Sequence, residues 1–215
     1  MEVLWSDDAA KIREYLSTPE GLSHINDEKD ISTPLYYACC LNRNDVVDTL
    51  IEFGANVNHR LPSCGGCTAL HMACYHGHID IISRLLNAGA DVNILTDYGR
   101  TPFICASETN DLNLVKMVTP FANFTLSDDR GENIFTYAMF SCNDEMLDYL
   151  YDFCPNINHV GCEGNTYLHR AVTLEKNYIV KLLLKKGIDT HIENNKGQEA
   201  KDRTTNPEIL ALFYD

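Results

Sequence analysis

One residue slot recurs down the chain at intervals of 32 to 35 positions, and no other feature narrows the possible folds as sharply. Thr33, Thr68, Thr101, Asn133 and Thr166 fill it. The surrounding stretches read STPLYYACCLNRNDVVDTLIEFGANVN, TALHMACYHGHIDIISRLLNAGADVN, RTPFICASETNDLNLVKMVTPFANF, ENIFTYAMFSCNDEMLDYLYDFCPNIN and NTYLHRAVTLEKNYIVKLLLKKGIDTHI. A sixth cycle, KGQEAKDRTTNPEILALF, begins and stops short. A period in this range marks a small unit that buries its apolar face only by stacking on its neighbours.

Each cycle carries the same internal physics. Thr33-Pro34 and Thr101-Pro102 read as a helix N-cap followed by proline at the first helical position, where its missing N–H costs nothing. A short apolar helix follows, through Leu70, Ala73 and Cys74 in the second cycle, then a polar turn at Gly77-His78. Ile79, Ile82, Leu85 and Leu86 give a second helix its apolar stripe, and Gly89 suits a left-handed C-cap. The extended ADVN then leads into a hairpin-like loop. The third and fourth cycles deviate: Pro120 falls near the helix end, Cys154 stands in the slot of Gly89, and Cys142-Asn143 replaces Gly-His. At the ends, Leu4, Trp5, Ile12, Tyr15 and Leu16 suit a degenerate first unit. Ile209, Leu210, Leu212 and Phe213 are expected to close the last apolar face.

The pattern T-P/A-L-H-x-A-C…G-H…I-I-x-x-L-L-x-x-G-A-D-V-N resembles the ankyrin repeat over about residues 30–196. The resemblance implies an all-α solenoid of helix-turn-helix-hairpin units stacked into a curved array. The expected organisation is a single domain over 1–215, with a degenerate unit at 1–29 and a C-terminal cap at 196–215. Repeats are expected at 30–64, 65–97, 98–129, 130–162 and 163–195. Arrays of this kind are protein-interaction modules, so a non-enzymatic binding role with no cofactor is expected. Inhibition of transcription factors, recruitment of ubiquitin-ligase substrates and service to a pathogen inside a host cell are all compatible with it.

Composition agrees with a folded chain: 45% hydrophobic and 22% charged residues. The formal net charge of −14 disfavours contact with phosphate backbones and anionic membranes. No apolar run approaches a membrane span, and the N-terminus does not read as a secretory signal. Nine cysteines without such a signal suit reduced thiols in the cytoplasm or the nucleus, and Asn123-Phe124-Thr125 is then an idle glycosylation sequon. A monomer is expected.

The cluster His71, Cys74, His76 and His78, with Cys64-Gly65-Gly66-Cys67 just upstream, invites a metal reading. By the resemblance, His71 and His169 bond between neighbouring units, His78 is the turn histidine, and Cys39 and Cys74 fill a crowded helix contact. Cys64 and Cys67 keep the spacing of half a zinc site or of a redox pair, with His59 and Cys162 as distant completing ligands. Two idle thiols are the plainer expectation. No nucleophile-base set or phosphate-binding loop is present, and no catalytic residue is assigned.

Partner-contacting residues are expected on the exposed side of the inner helices and at the loop tips. Counting from each capping slot gives Tyr37, Cys40 and Leu41; Met72, Tyr75 and His76; Cys105, Glu108 and Thr109; Tyr137, Phe140 and Ser141; and Arg170, Thr173 and Leu174. Asp97, Tyr98, Asp128, Asp129 and Glu163 occupy the tips. The aromatic content implies apolar anchors, and the acidic tips imply basic flanks on the partner. A thiol or zinc switch at Cys64 and Cys67, and a ubiquitin adaptor, are the alternative functions. The resemblance also makes Asn58, Asn93 and Asn158 candidates for asparaginyl hydroxylation, each with a leucine eight residues earlier.

Overall fold

The computed structural model describes residues 2–29 and 32–214. The expected outer limits at Met1 and Asp215, and the start of the first repeat at Asp30, lie outside the described residues. The described residues gather into two compact units that divide between Ala122 and Asn123. The division falls in the irregular third cycle, whose second helix runs into a 3-10 turn at Thr119–Phe121 around Pro120.

The first unit opens with a 3-10 turn, Glu2–Trp5, followed by α1 (Ala9–Leu16) and α2 (Pro19–Ser23). Three helix pairs follow: α3 (Pro34–Cys40) with α4 (Asn44–Glu52), α5 (Ala69–His76) with α6 (Ile79–Asn87), and α7 (Pro102–Ser107) with α8 (Leu112–Val118). The second unit holds α9 (Ile134–Ser141) with α10 (Asp144–Tyr151), and α11 (Tyr167–Thr173) with α12 (Asn177–Lys185). It ends in a 3-10 turn, Ala200–Arg203, and α13 (Pro207–Ala211).

The recurring slot caps every inner helix. Thr33, Thr68, Thr101, Asn133 and Thr166 accept from the backbone N–H three residues on, satisfying a donor the helix leaves unpaired. The turn between paired helices needs a left-handed residue, supplied by Asn42, Gly77, Asn110 and Glu175. The α9–α10 turn does without one: Cys142 is extended, and Asn143 Oδ1 caps α10 by accepting from Met146 N at 2.9 Å. At the far end of α6, Gly89 adopts φ 85° and Ala90 N–H bonds back to Leu85 O at 2.9 Å, closing the helix as its sequence suggests. Cys154 in the fourth cycle has no left-handed backbone, although its N–H bonds to Tyr151 O just as Gly89 N–H bonds to Leu86 O.

Stacking follows from side-chain size. Helices α3, α5 and α7 lie side by side, with Ala38, Cys39, Ala73, Cys74 and Ala106 buried at the contacts. Small residues there let the backbones approach, while the larger Leu35, Leu70 and Phe103 are buried in the core. In α6 the buried set is Ile81, Ile82 and Leu85, whereas Ile79 is 43% exposed. Ile79 is the first residue of the helix and faces outward, so Ile81 replaces it in the apolar stripe. In the second unit Phe135, Met139, Leu147, Leu168, Val172, Val180 and Leu183 form the core, with Ala200 and Ile209 closing it. Leu210, Leu212 and Phe213 are only half-buried, so Ile209 carries the closure alone among the four residues expected.

The loops contain isolated β-bridges rather than strands among the described residues: Leu61 with Cys67, Ser127 with Asn133 and Val160 with Thr166. Within the described residues no helix is long and apolar enough to cross a membrane.

Candidate functional site

The capping boxes explain the histidines first. Thr68 N–H donates to His71 Nδ1 at 3.1 Å, while His71 Nε2 meets Arg100 O of the next repeat at 3.1 Å. The matching His169 meets Thr166 N at 3.3 Å and Gln198 O at 2.8 Å. Both rings are buried. Burial pushes the pKa of His71 down to about 4, so a neutral ring with a proton on Nε2 bridges the repeats. His71 is therefore architecture.

Cys64 and Cys67 also fall into a structural pattern. Leu61 N–H donates to Cys67 O at 2.9 Å, and Gly65 and Gly66 both take positive φ to turn the tip. The Gly65 carbonyl accepts from Asp97 N–H of the next loop at 2.8 Å. In the second unit Glu163, at φ 60°, occupies the equivalent place, and its carbonyl accepts from Asn195 N–H at 2.9 Å. With both glycines at positive φ, a backbone that L side chains rarely adopt, the C-G-G-C run meets a conformational need. Burial raises the Cys67 thiol pKa and takes that of Cys40 up to about 11, which holds both in the protonated form. His59 pairs instead with Glu28 at 2.9 Å. No group of three or more His, Cys, Asp or Glu among the described residues is placed to hold a metal ion.

The three asparagines proposed for modification tie successive loops together. Asn58 Nδ2 donates to Gly89 O at 3.1 Å and its Oδ1 accepts from Asp91 N at 2.8 Å. Asn93 Nδ2 donates to Phe121 O at 3.0 Å, and Asn158 Oδ1 accepts from Asp189 N at 2.9 Å. Asn26, which the repeat pattern does not single out, does the same by accepting from Asn56 N at 2.8 Å.

In the first unit the exposed side of the inner helices is aromatic. Tyr37 is 37% and Tyr75 59% exposed, with Leu41 and His76 exposed beside them and Cys40 and Met72 half-buried. Trp5 packs edge-on against Tyr37 with ring centroids 5.7 Å apart, and His76 stacks on His78 at 5.4 Å. These contacts hold the rings in place, which lowers the entropy cost of binding. At the tip, Tyr98 is exposed and lies against Gly65, where an added Cβ would come within 2.7 Å of its ring. The expected row breaks at α7. Cys105 is buried rather than facing outward, and Glu108 is half-buried in an ion pair with Arg100. Asp97 likewise pairs with Arg60 at 3.0 Å.

The second unit has a different chemistry. Phe140 is exposed at the end of α9 with the Arg170 guanidinium 5.9 Å from its ring centre. Tyr137 is half-buried and donates its hydroxyl to Asp128 Oδ2 at 2.7 Å, while Arg130 Nη2 donates to the same hydroxyl at 3.2 Å. Asp129 is exposed. Glu132, buried and next to the capping Asn133, accepts from Cys162 N at 2.9 Å and from Arg170. Burial and the charge of Arg130 lower the pKa of Arg170. Arg130, Glu132, Tyr137, Phe140 and Arg170, with Thr136 and Cys162, line a cleft of about 110 Å3. Counting along the repeat finds Tyr137, Phe140 and Arg170 but misses Arg130 and Glu132. Glu132 meets Arg170 38 positions away, with no sequence spacing to announce the pairing.

Comparison with known proteins follows the same lines. A model of ankyrin repeats in many copies matches residues 35–86 and 70–118, and a three-copy ankyrin model matches residues 103–194. No curated protein matches the sequence significantly. The solved ankyrin repeat domain of Bcl-3, described as a unique member of the IκB protein family, superposes with a TM-score of 0.85. It is 19% identical, over 100% of this chain and 96% of that one. The human ASB11 ankyrin repeat domain is 26% identical with a TM-score of 0.71, over 86% of this chain and 83% of that one. With the repeat matched from residue 35 to residue 194 and its caps and turns in place, the chain belongs to the ankyrin repeat family.

Proposed function

We propose that this chain mediates protein–protein interaction, as ankyrin repeats generally do, and is a non-enzymatic module that takes a segment of another protein against the exposed side of its inner helices. Tyr37, Leu41 and Tyr75 in the first unit, and Tyr137 and Phe140 in the second, receive apolar anchors. One observation carries the reading: Tyr75 and Phe140 stay 59% and 54% exposed on helices whose other apolar residues are almost all buried. Large rings left in water where the backbone is rigid are the usual raw material of interaction hot spots.

The net charge of −14 favours a partner with basic flanks and speeds its encounter through long-range attraction. Because Asp97, Glu108 and Asp128 already hold an arginine each, that attraction acts through the overall field more than through direct pairing at the tips.

Capture of a binding protein from cell lysate by the wild-type chain and by Tyr75→Ala/Phe140→Ala tests the reading. The double variant should lose capture while its helical circular dichroism is unchanged, since both side chains project into solvent. Capture that survives the double substitution would place the binding surface elsewhere.

A further inference from the structure

Beside Phe140 and Arg170 lies a second cleft of about 70 Å3 in the second unit, bounded on its far side by Arg203. Its polar groups are nearly all committed. His169 Nε2 meets Gln198 O at 2.8 Å, Thr173 Oγ1 donates to His169 O at 2.8 Å, and Asn165 Nδ2 donates to Cys162 O at 3.1 Å. The Asn165 Oδ1 accepts from Asn194 Nδ2 at 3.2 Å. Among the described residues no hydrogen bond or ion pair holds the Arg203 guanidinium. Arg170 gives one nitrogen to Glu132 and keeps others, in a half-buried position. Burial first, and then like-charge repulsion from Arg130 and Arg203, lowers its pKa. Donors therefore outnumber acceptors at this spot, in a protein whose overall charge is strongly negative.

We infer that the cleft takes a carboxylate from an acidic side chain of the bound segment, held by Arg203 and Arg170, with an adjacent apolar side chain against Phe140 and Leu174. The inference rests on the docking role proposed above and adds a local rule to it: the partner is acidic where it meets the second unit. A guanidinium offers a planar fork that matches a carboxylate. Partial burial of Arg170 weakens screening by water and salt, so the pairing counts for more here than on an open surface. Arginine over an aromatic ring also presents its edge for hydrogen bonding while its face stays covered.

The test uses the full chain labelled with 15N and two small probes, N-acetyl-Phe-Glu-amide and N-acetyl-Phe-Gln-amide, which differ only in the charge of one side chain. The glutamate probe should shift the Nε–H resonances of Arg203 and Arg170 saturably, with an apparent affinity about five-fold or more above that of the glutamine probe. Arg203→Gln, at the solvent edge of the cleft, should erase that preference without changing circular dichroism. Equal responses to the two probes, no response at either arginine, or a preference that persists in Arg203→Gln would each overturn the inference. The lysate capture experiment judges the parent reading separately. Capture that depends on Tyr75 and Phe140 without probe selectivity removes only the acidic rule, whereas probe selectivity without such capture removes the docking role.

Discussion

His71, itself buried, and Arg100 are joined across two repeats by a part-buried hydrogen bond from the ring Nε2 to the backbone carbonyl, 3.1 Å long. The same ring closes the Thr68 capping box on its other edge, so one side chain links a helix terminus to the following loop. Protonating it would turn the Nδ1 acceptor into a donor facing the Thr68 N–H.

That geometry fixes a pH dependence. The pKa of His71 falls from 6.5 to about 4 in the folded chain, chiefly through burial. Between those values the unfolded chain binds the proton and the folded chain does not, so stability rises with pH across the window. The contribution is complete above about pH 6.5 and is lost as the pH falls toward 4, amounting to roughly 3 kcal/mol. Urea unfolding of the wild type and of His71→Gln at pH 7 and pH 5 checks it. The gap between the two proteins should shrink at pH 5.

Burial on α6 makes a second prediction by contrast. Ile82→Ala removes a fully buried side chain and should cost about 3 kcal/mol. Ile79→Ala, three residues earlier on the same helix, should change stability by less than about 0.5 kcal/mol. Chemical denaturation of the two variants decides between this stripe and the one suggested by the sequence period alone.

Asn133 separates capping from packing. Its Oδ1 caps α9 by accepting from Thr136 N at 3.2 Å, and its Nδ2 donates to the buried Tyr167 hydroxyl at 2.6 Å. Threonine, the residue in the other repeats, keeps the cap and loses the second bond. Asn133→Thr should therefore destabilise the chain by about 1 kcal/mol, and Asn133→Ala by about 2 kcal/mol. Equal stability of wild type and Asn133→Thr would show that the Tyr167 contact contributes nothing.

The C-G-G-C tip gives a fourth test. Cys64→Ser/Cys67→Ser should shift the thermal midpoint by no more than about 2 °C, and added reductant should not shift the wild type. Gly66→Ala forces a side chain into a left-handed turn beside Arg60 and should cost about 1–2 kcal/mol. A reductant-dependent midpoint would instead reveal a thiol switch.

Local signals made the repeat readable in the sequence. Threonine before proline, glycine after a helix and an apolar stripe each act within a few residues, and all five capping slots hold as caps. Failures came where one residue of shift matters or where a partner is remote. Ile79 and Ile81 compete for one place in the stripe, and only the helix start decides it. Cys105 is buried, although counting from the capping slot places it outward. Glu132 meets Arg170 across 38 positions, and Arg203 reaches the cleft from the C-terminal 3-10 turn. No periodicity encodes such pairings, so the charge character of the second unit was invisible until the chain was folded.

Photocrosslinking tests the docking surface most directly. Benzoylphenylalanine replaces Tyr75 or Phe140 on the inner helices, or the exposed Tyr178 on the outer helix α12, and the chain is irradiated with its captured partner. Adducts to the partner from positions 75 and 140, and none from 178, are the predicted result. Adducts from 178 with none from 75 and 140 would contradict the account.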